Sequence, residues 1–547
     1  MPRSRPTRRE PCPKSLHVSH SIRLLPLAGL LITSMVSAQV ETFGSPDPRP
    51  AATVKSPVLP FSFEVGLDLA GASALRLRDV DHAWLAQQDM QAEASGLVPL
   101  RIGVVRPLIV RPSDGVWHEL GGGRWLWTAE VGADGALALR LHFASLDLPR
   151  GGQVMAYAPQ APERISGPFE GTGPFETREI WTDVLQSDRA RVEYRVEGVA
   201  SGVAPTLPFQ IDSLLHVYRD PALDPQPEGS CTIDSSCDSS ISSLRNSVGR
   251  LSYIESGNGF LCTGTLLETE SNDITPYFAT SRDCISTTSV ANTAVISWRY
   301  QTSSCGGTPP ALNSVPTSAF CSLMASDPSA KITLLLVQGT VLSSVSWAGW
   351  SSVPLFQGAL GKSIHHPLGQ FKMVTTELVG AGLSCETVDH FRIQTTSGSL
   401  NNGSIGAGFF RASTSQYSGT LTCGPITCGA FFDFGRFSNA YPTFASLLAD
   451  GSDDSLEPND ACGGLPDIAV GTYTNRIVKY YDPDWYEILV PAGAKLTVDL
   501  SFTHSWGDID AELWVNCGDA SATDLSLGVG NSERLEWINT GGANTVA

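Results

Sequence analysis

Tyr277-Phe278-Ala279-Thr280-Ser281-Arg282-Asp283-Cys284-Ile285 is the stretch on which the reading of this chain turns. Tyr277 to Ala279 form an apolar run of strand character, closed by polar residues and then by a cysteine. Cys262 lies 22 residues upstream of Cys284, behind a second strand-like segment that runs on through Thr263-Gly264-Thr265-Leu266-Leu267. Apolar strand-like runs beside cysteines point to a β-rich domain. Asp283, immediately before the cysteine, is the residue whose chemistry matters most.

Composition sets the frame. At 547 residues the chain is too long for one core, and roughly three to four domains are expected. Hydrophobic residues make up 42% and charged residues 17%, as in ordinary globular proteins, and 52 Gly with 36 Pro favour turn-rich β architecture. The formal charge of −19 excludes a nucleic-acid or anionic-membrane partner, because either rewards clustered Lys and Arg.

Arg3, Arg5, Arg8, Arg9 and Arg23 precede the apolar run Leu24 to Val36, and Val36-Ser37-Ala38 offers a small-residue cleavage site. Residues 1–38 read as a secretory signal peptide. No later segment is apolar for long enough to be a helical membrane span. The expected compartment is extracellular or periplasmic, where disulfides persist.

A Pro-rich linker, 39–60, is followed by a first domain at 61–220. Trp125 to Val131, Leu137 to Phe143, Val154 to Tyr157 and Val192 to Val196 alternate with strand period, so this domain reads as a β-sandwich. A central domain spans 229–448 and ends in a helix-like segment, Tyr441 to Ala449. The acidic stretch Asp450 to Asp454 leads to the last domain, 453–547.

The central segment resembles the lysyl endopeptidase family, trypsin-like serine proteases secreted by bacteria. The resemblance rests on Ser230-Cys231-Thr232-Ile233-Asp234, Cys262-Thr263-Gly264-Thr265-Leu266-Leu267, Trp347-Ala348-Gly349-Trp350 and Ile364-His365-His366-Pro367. It covers 229 to about 448. What it implies is a chymotrypsin-like double β-barrel in an all-β chain, with Cys231 paired to Cys428, Cys237 to Cys305 and Cys262 to Cys284. Leu148-Pro149-Arg150-Gly151, Gly167-Pro168-Phe169 and Trp181 likewise resemble the non-catalytic N-terminal region of such proteins. Residues 453–547, through Asp482-Pro483-Asp484-Trp485 and Gly507-Asp508-Ile509-Asp510, look like the bacterial pre-peptidase C-terminal domain, a small β-sandwich. The chain stops at Ala547, where that family has a closing strand, so a truncated domain is expected.

The resemblance also implies a Ser-His-Asp machinery, and each of its positions is altered here. The general base, written T-A-x-H-C in the family, falls on Asp283. The orienting acid of S-D-F-T-L-L falls on Lys331 in Ala330-Lys331-Ile332-Thr333-Leu334-Leu335. The nucleophile of G-S-S-G-S-P falls on Ile405 in Gly403-Ser404-Ile405-Gly406-Ala407-Gly408. An aliphatic side chain has no nucleophilic atom, and a carboxylate is no proton shuttle for a serine at neutral pH. The lysine-selecting Asp of S-D-Q-Y-G-R falls on Phe432, with Asp433 one residue later, so lysine specificity is expected to be lost.

Ser404 and the pair His365–His366 are the nearest substitutes for nucleophile and base. A one-residue shift is expected to point Ser404 elsewhere, and in the family the histidine pair is structural or modulatory. Cys423 is an extra cysteine with Cys385 as its candidate partner, which leaves Cys321 as a free thiol or an intermolecular bridge. Cys462 and Cys517 are expected to pair in the last domain. Asp482 with Asp484, and Asp508 with Asp510, alternate along the chain; they read either as a calcium site or as turn residues of a solvated edge. No other cofactor is expected.

Three functional readings follow: a secreted non-catalytic protease homologue that binds a protein or peptide, an active serine-type endopeptidase with an altered site, and a structural protein cross-linked through Cys321.

Overall fold

In the computed structural model, Tyr277–Ser281 is a strand, and it ends just before Asp283. It pairs antiparallel with Asn258–Leu267 on one side and Ile332–Val337 on the other, so Ser281 faces Ile332 across the ladder. The structure describes residues 59–69, 74–94, 96–199, 202–219, 231–270, 274–339, 341, 344–382, 385–386, 389–449, 468–474, 476, 478, 484–502, 509–516, 522–526, 528, 530–541 and 545–546. The signal-like residues 1–38, Cys462, Cys517, Asp482 and Asp508 lie outside them.

The central region is built from two barrels. In the first, Val248–Glu255, Asn258–Leu267, Tyr277–Ser281 and Ile332–Val337 follow one another in the sheet, and Val295–Ser297 flanks Val248–Glu255. Closure comes from a bent strand. Thr317–Ala319 pairs with Val295–Ser297, while Cys321–Asp327 pairs with Ile332–Val337, and only Phe320, at a φ of 69°, separates the two pieces. In the second barrel the order is Met373–Val379, Leu360–His365, Gly408–Arg411, Tyr417–Cys423, Phe431–Arg436 and His390–Ser397, and the last strand returns to the first. Closure leaves no free edge to template association. The helix Phe437–Leu448 then packs Phe437, Tyr441 and Phe444 back onto the second barrel. The chain is all-β with a chymotrypsin-like double barrel at its centre.

Upstream, Arg124–Ala133, Arg189–Val196, Gln153–Ala158 and Ala161–Phe169 form one sheet, extended by Ala74–Leu77 and Val116–Gly121. Gln210–Val217, Leu100–Val110 and Ala138–Ala144 form a second, and Trp127, Phe143, Val154, Tyr194 and Leu214 fill the core between them. Two features differ from the strand-only separate sandwich expected from the sequence. His82–Glu93 is a helix, capped by Asp81, whose side chain accepts from the Trp84 amide. The second sheet also does not end with this region: Leu100–Val110 pairs with the first half of Asn258–Leu267, whose second half pairs with Tyr277–Ser281. The hairpin formed by Val248–Glu255 and Asn258–Leu267 extends past the barrel, and the N-terminal strand satisfies its outer hydrogen-bonding groups. One sheet therefore runs through both regions.

Toward the end of the chain, Lys495–Ser501 pairs with Ser532–Ile538, Ala511–Leu513 with Asp524–Ser526, and Leu489–Val490 with Thr545–Val546, around Val490, Leu496, Ala511, Leu513 and Leu535. Among the described residues, no helix is long and apolar enough to cross a membrane.

The shared sheet predicts shared stability. Leu215 is buried where the two regions meet, against Gly103 and Gly259. Leu215→Ala should cost about 2–5 kcal/mol. Urea unfolding followed by fluorescence and by far-UV circular dichroism should show one coincident transition for 61–448; a separate early N-terminal transition would contradict the continuity.

Candidate functional site

The site is assembled from the facing edges of the two barrels. Antiparallel pairing of Tyr277–Ser281 with Ile332–Val337 brings the residues just outside that ladder, Asp283 and Lys331, side by side. Lys331 Nζ lies 3.2 Å from Asp283 Oδ2 and 2.7 Å from Glu386 Oε1. Burial pulls the Lys331 pKa down, but hydrogen bonding to Glu386 and the field of Asp283 outweigh it and hold the pKa above its ordinary value. Lys331 is thus a cation at neutral pH, and the two positions form a charge-paired cluster instead of a base with its orienting acid.

Ile405 is buried, in the same apolar cluster as Leu97, Cys262, Cys284 and Phe432, with its carbonyl 3.8 Å from Cys284 Sγ. Its turn is held by backbone geometry. Gly403 and Gly406 adopt φ of 86° and 89°, a region that side chains rarely occupy. A Cβ on Gly406 would sit 2.1 Å from the Thr263 carbonyl oxygen, so no larger residue fits there. Thr263 binds this turn from below: its amide donates to Ile405 O at 2.8 Å and its hydroxyl to Gly403 O at 2.8 Å.

Ser404 is buried against a histidine. Its Oγ is 2.8 Å from His365 Nδ1 and accepts from the Asn401 amide at 3.1 Å. Sequence reading placed both residues near the site and missed that they touch; their distance along the chain left no signal for it. Both side chains are wholly buried, and burial pushes the His365 pKa down to about 3, which makes it a feeble base. His366 is equally buried: its Nδ1 lies 2.7 Å from Gln370 O, and its ring stacks on Tyr300.

The position that selects lysine in the family is filled. Phe432 is fully buried beside Gly424, where a Cβ would meet its ring at 2.3 Å. Asp433 is also fully buried and faces the other side of its strand, where its Oδ2 accepts from the amides of Cys385 and Glu386 at 2.8 and 3.1 Å. That contact positions Glu386 for Lys331.

Disulfides join Cys231 to Cys428, Cys237 to Cys305, Cys262 to Cys284 and Cys385 to Cys423. Cys385, Cys423 and Asp433 lie close enough to share a metal ion, but the two sulfurs are consumed by their own disulfide. Cys321 is a free thiol buried in the core. An intermolecular bridge through it is corrected by that burial: no second chain can reach the sulfur. Of the four acidic residues weighed for calcium, Asp484 and Asp510 are described, and Asp484 accepts from Tyr486 Oη at 2.9 Å.

One contact was absent from the sequence reading. Gly96, Leu97 and Val98, from the N-terminal region, reach the loops that carry Asn402 and Gly424. The Leu97 amide donates to Gly424 O at 2.9 Å, the Val98 amide donates to Asn402 Oδ1 at 3.0 Å, and the Leu97 side chain is buried in the cluster that contains Ile405. The wall formed by Gly424 and Asn402 is therefore hydrogen-bonded to the chain's own backbone.

The double barrel defines the chymotrypsin-like class. Residues 226–434 match the family model of the lysyl endopeptidase C-terminal domain. The lysyl endopeptidase of Pseudomonas aeruginosa is 27% identical over 364 residues, covering 61% of this chain and 77% of that protein. Among solved structures, similarity extends to a HtrA-type protease with a tripeptide (17% identity, TM-score 0.28), covering 38% of this chain and 62% of that one. It also extends to an inactivated protease paralogue of the scabies mite (13%, TM-score 0.29; 37% and 94% covered) and to human heparin binding protein (15%, TM-score 0.28; 37% and 91% covered). Over residues 226–434 the chain is thus similar to the lysyl endopeptidase C-terminal domain.

The buried histidines predict a pH dependence. His365 stays neutral in the folded protein down to about pH 3, whereas in the unfolded chain it takes up a proton near about 6.5. Between these values the unfolded state binds more protons, so this contribution is present above pH 6.5 and lost as pH falls toward 3. His365→Gln should flatten the fall of the urea midpoint across that window; an unchanged slope would show that His365 is not buried neutral.

Proposed function

We propose that this protein is an exported, non-catalytic homologue of a lysyl endopeptidase-like serine protease, which uses its central domain as a binding module between an N-terminal sandwich (61–220) and a C-terminal pre-peptidase-type sandwich (453–547). The observation that carries this reading is Ile405 at the position that resemblance assigns to the nucleophile. Acyl transfer needs an attacking oxygen there and a base within reach of its proton. Ile405 supplies no such atom, and Asp283, tied to Lys331, supplies no shuttle. The three residues act as a unit in active relatives, and loss of one leaves only roughly 10³- to 10⁴-fold catalysis over water. Export is supported by the signal-like N-terminus, the −19 charge and the disulfides.

The ligand class is a peptide or protein segment. Support comes from Leu97, whose backbone donates to the cleft wall while its side chain enters the apolar cluster at Ile405, as an extended peptide would. The module is then self-occupied, and a ligand competes with residues 96–98. Leu97→Asp should disrupt that docking. Extended peptides carrying a leucine should bind this variant roughly tenfold or more tightly than the parent, by fluorescence anisotropy. Equal affinities would mean that the cleft is not the binding surface.

The short Ser404–His365 contact favours the second reading, an active endopeptidase with a relocated nucleophile. A fluorophosphonate serine probe separates the two. No labelling of the purified protein and no cleavage of mixed peptides are expected. Labelling that disappears in Ser404→Ala would establish the second reading instead.

A further inference from the structure

A cavity of about 550 Å³ lies where the N-terminal region meets the first barrel, walled by residues of both. Arg140 lines it from the strand Ala138–Ala144 and is wholly buried. Its Nε donates to Thr182 O at 2.7 Å, whereas Nη1 and Nη2 have no hydrogen-bond partner among the described residues. Burial lowers the Arg140 pKa only to about 10, against the opposing field of Asp183, so the side chain stays charged at neutral pH.

A buried guanidinium with two unpartnered nitrogens, opposed by a carboxylate that is hydrogen-bonded elsewhere, is costly. Its desolvation is recovered only through an opposing charge and filled hydrogen bonds. The nearest carboxylate cannot meet this need: Asp183 is held by the Val184 amide at 2.6 Å and by Thr317 Oγ1 at 2.8 Å, and forms no ion pair with Arg140. The rest of the wall adds positive charge. Arg164 and Arg250 line the same cavity, donating to the carbonyls of Val315 and Gly369, while Arg219 is matched by Glu93 at 2.6 Å. Glu163 is the other lining carboxylate, and it is exposed. In a chain of net charge −19, such a collection of guanidinium groups around one cavity calls for an occupant.

We infer that this inter-domain cavity binds a small oxyanion — a carboxylate, sulfate or phosphate group, free or as the head of an organic acid — with the Arg140 guanidinium as its principal anchor. The planar fork of η nitrogens suits two oxygens of such a group, and Arg164 and Arg250 supply further charge. Water would fill hydrogen bonds but add no charge to the field of Asp183. Because the wall comes from both regions, the bound anion also joins them, and its binding stabilises the folded chain by mass action.

Equilibrium dialysis of the full chain against radiolabelled inorganic phosphate tests this, with radiolabelled citrate in a parallel arm. Saturable uptake near one ion per chain is expected, together with a saturable rise in melting temperature at constant ionic strength. Uptake of citrate without phosphate identifies an organic acid as the source and supports the site. Arg140→Met should abolish uptake, and Arg164→Gln at the rim should weaken it roughly tenfold while leaving the circular dichroism unchanged. If Arg140→Met does not fold, Arg164→Gln decides. No saturable uptake of either anion, which would mean that water alone fills the cavity, overturns the inference. So does uptake that either folded variant leaves unchanged.

Discussion

Thr263 is the point on which the two barrels hang together. It is fully buried in the strand Asn258–Leu267, next to the Cys262–Cys284 disulfide. Its amide and hydroxyl hold the Gly403–Gly406 turn, its carbonyl accepts from Thr280 Oγ1 at 2.8 Å, and its Oγ1 also accepts from the His366 amide at 3.2 Å. One residue thus joins both barrels and the strand that ends at Asp283. Each of these bonds involves a backbone group, and the side-chain atoms in them come from Thr263 and Thr280 alone, so substitutions at 283, 331 or 405 leave them in place. A buried backbone group with no partner is expensive, so this arrangement is stiff.

That stiffness explains how the site's chemistry and its scaffold come apart. The turn that carries a nucleophile in relatives depends on Gly403, Gly406 and Thr263, so it accepts Ile405 and gains apolar burial from it. At the cleft edge, Asp283 and Lys331 are partly exposed, and an ion pair in such a setting contributes little, about 0–1 kcal/mol. Glu386 and the buried Asp433 behind it add order to this cluster. The scaffold asks only that the pair be compatible with solvent and with each other.

Much of this was legible in the chain. The strand period of Trp125 to Val131 and Val154 to Tyr157 corresponds to Arg124–Ala133 and Gln153–Ala158, and the spacing of the cysteines with the text around them led to the double barrel. Other features had no local signal. Leu97 sits far in sequence from Gly424 and Asn402, Ser404 from His365, and Arg140 from Asp183. Nor does periodicity tell whether Leu100–Val110 stops at its own domain or pairs with Asn258–Leu267, since both outcomes need the same alternating pattern.

The sequence by itself determined which side chains are available at each position: no hydroxyl at 405, no imidazole at 283, an aromatic at 432. It also determined the strand-rich class, because periodicity and turn residues act over short distances. The tertiary structure alone decided what those side chains meet. Burial turns His365 into a neutral partner of Ser404, packs Leu97 into the cluster that contains Ile405, and leaves two nitrogens of Arg140 without a hydrogen-bond partner among the described residues, beside a cavity. These outcomes depend on pairings between residues far apart in the chain, and local propensity carries no information about them.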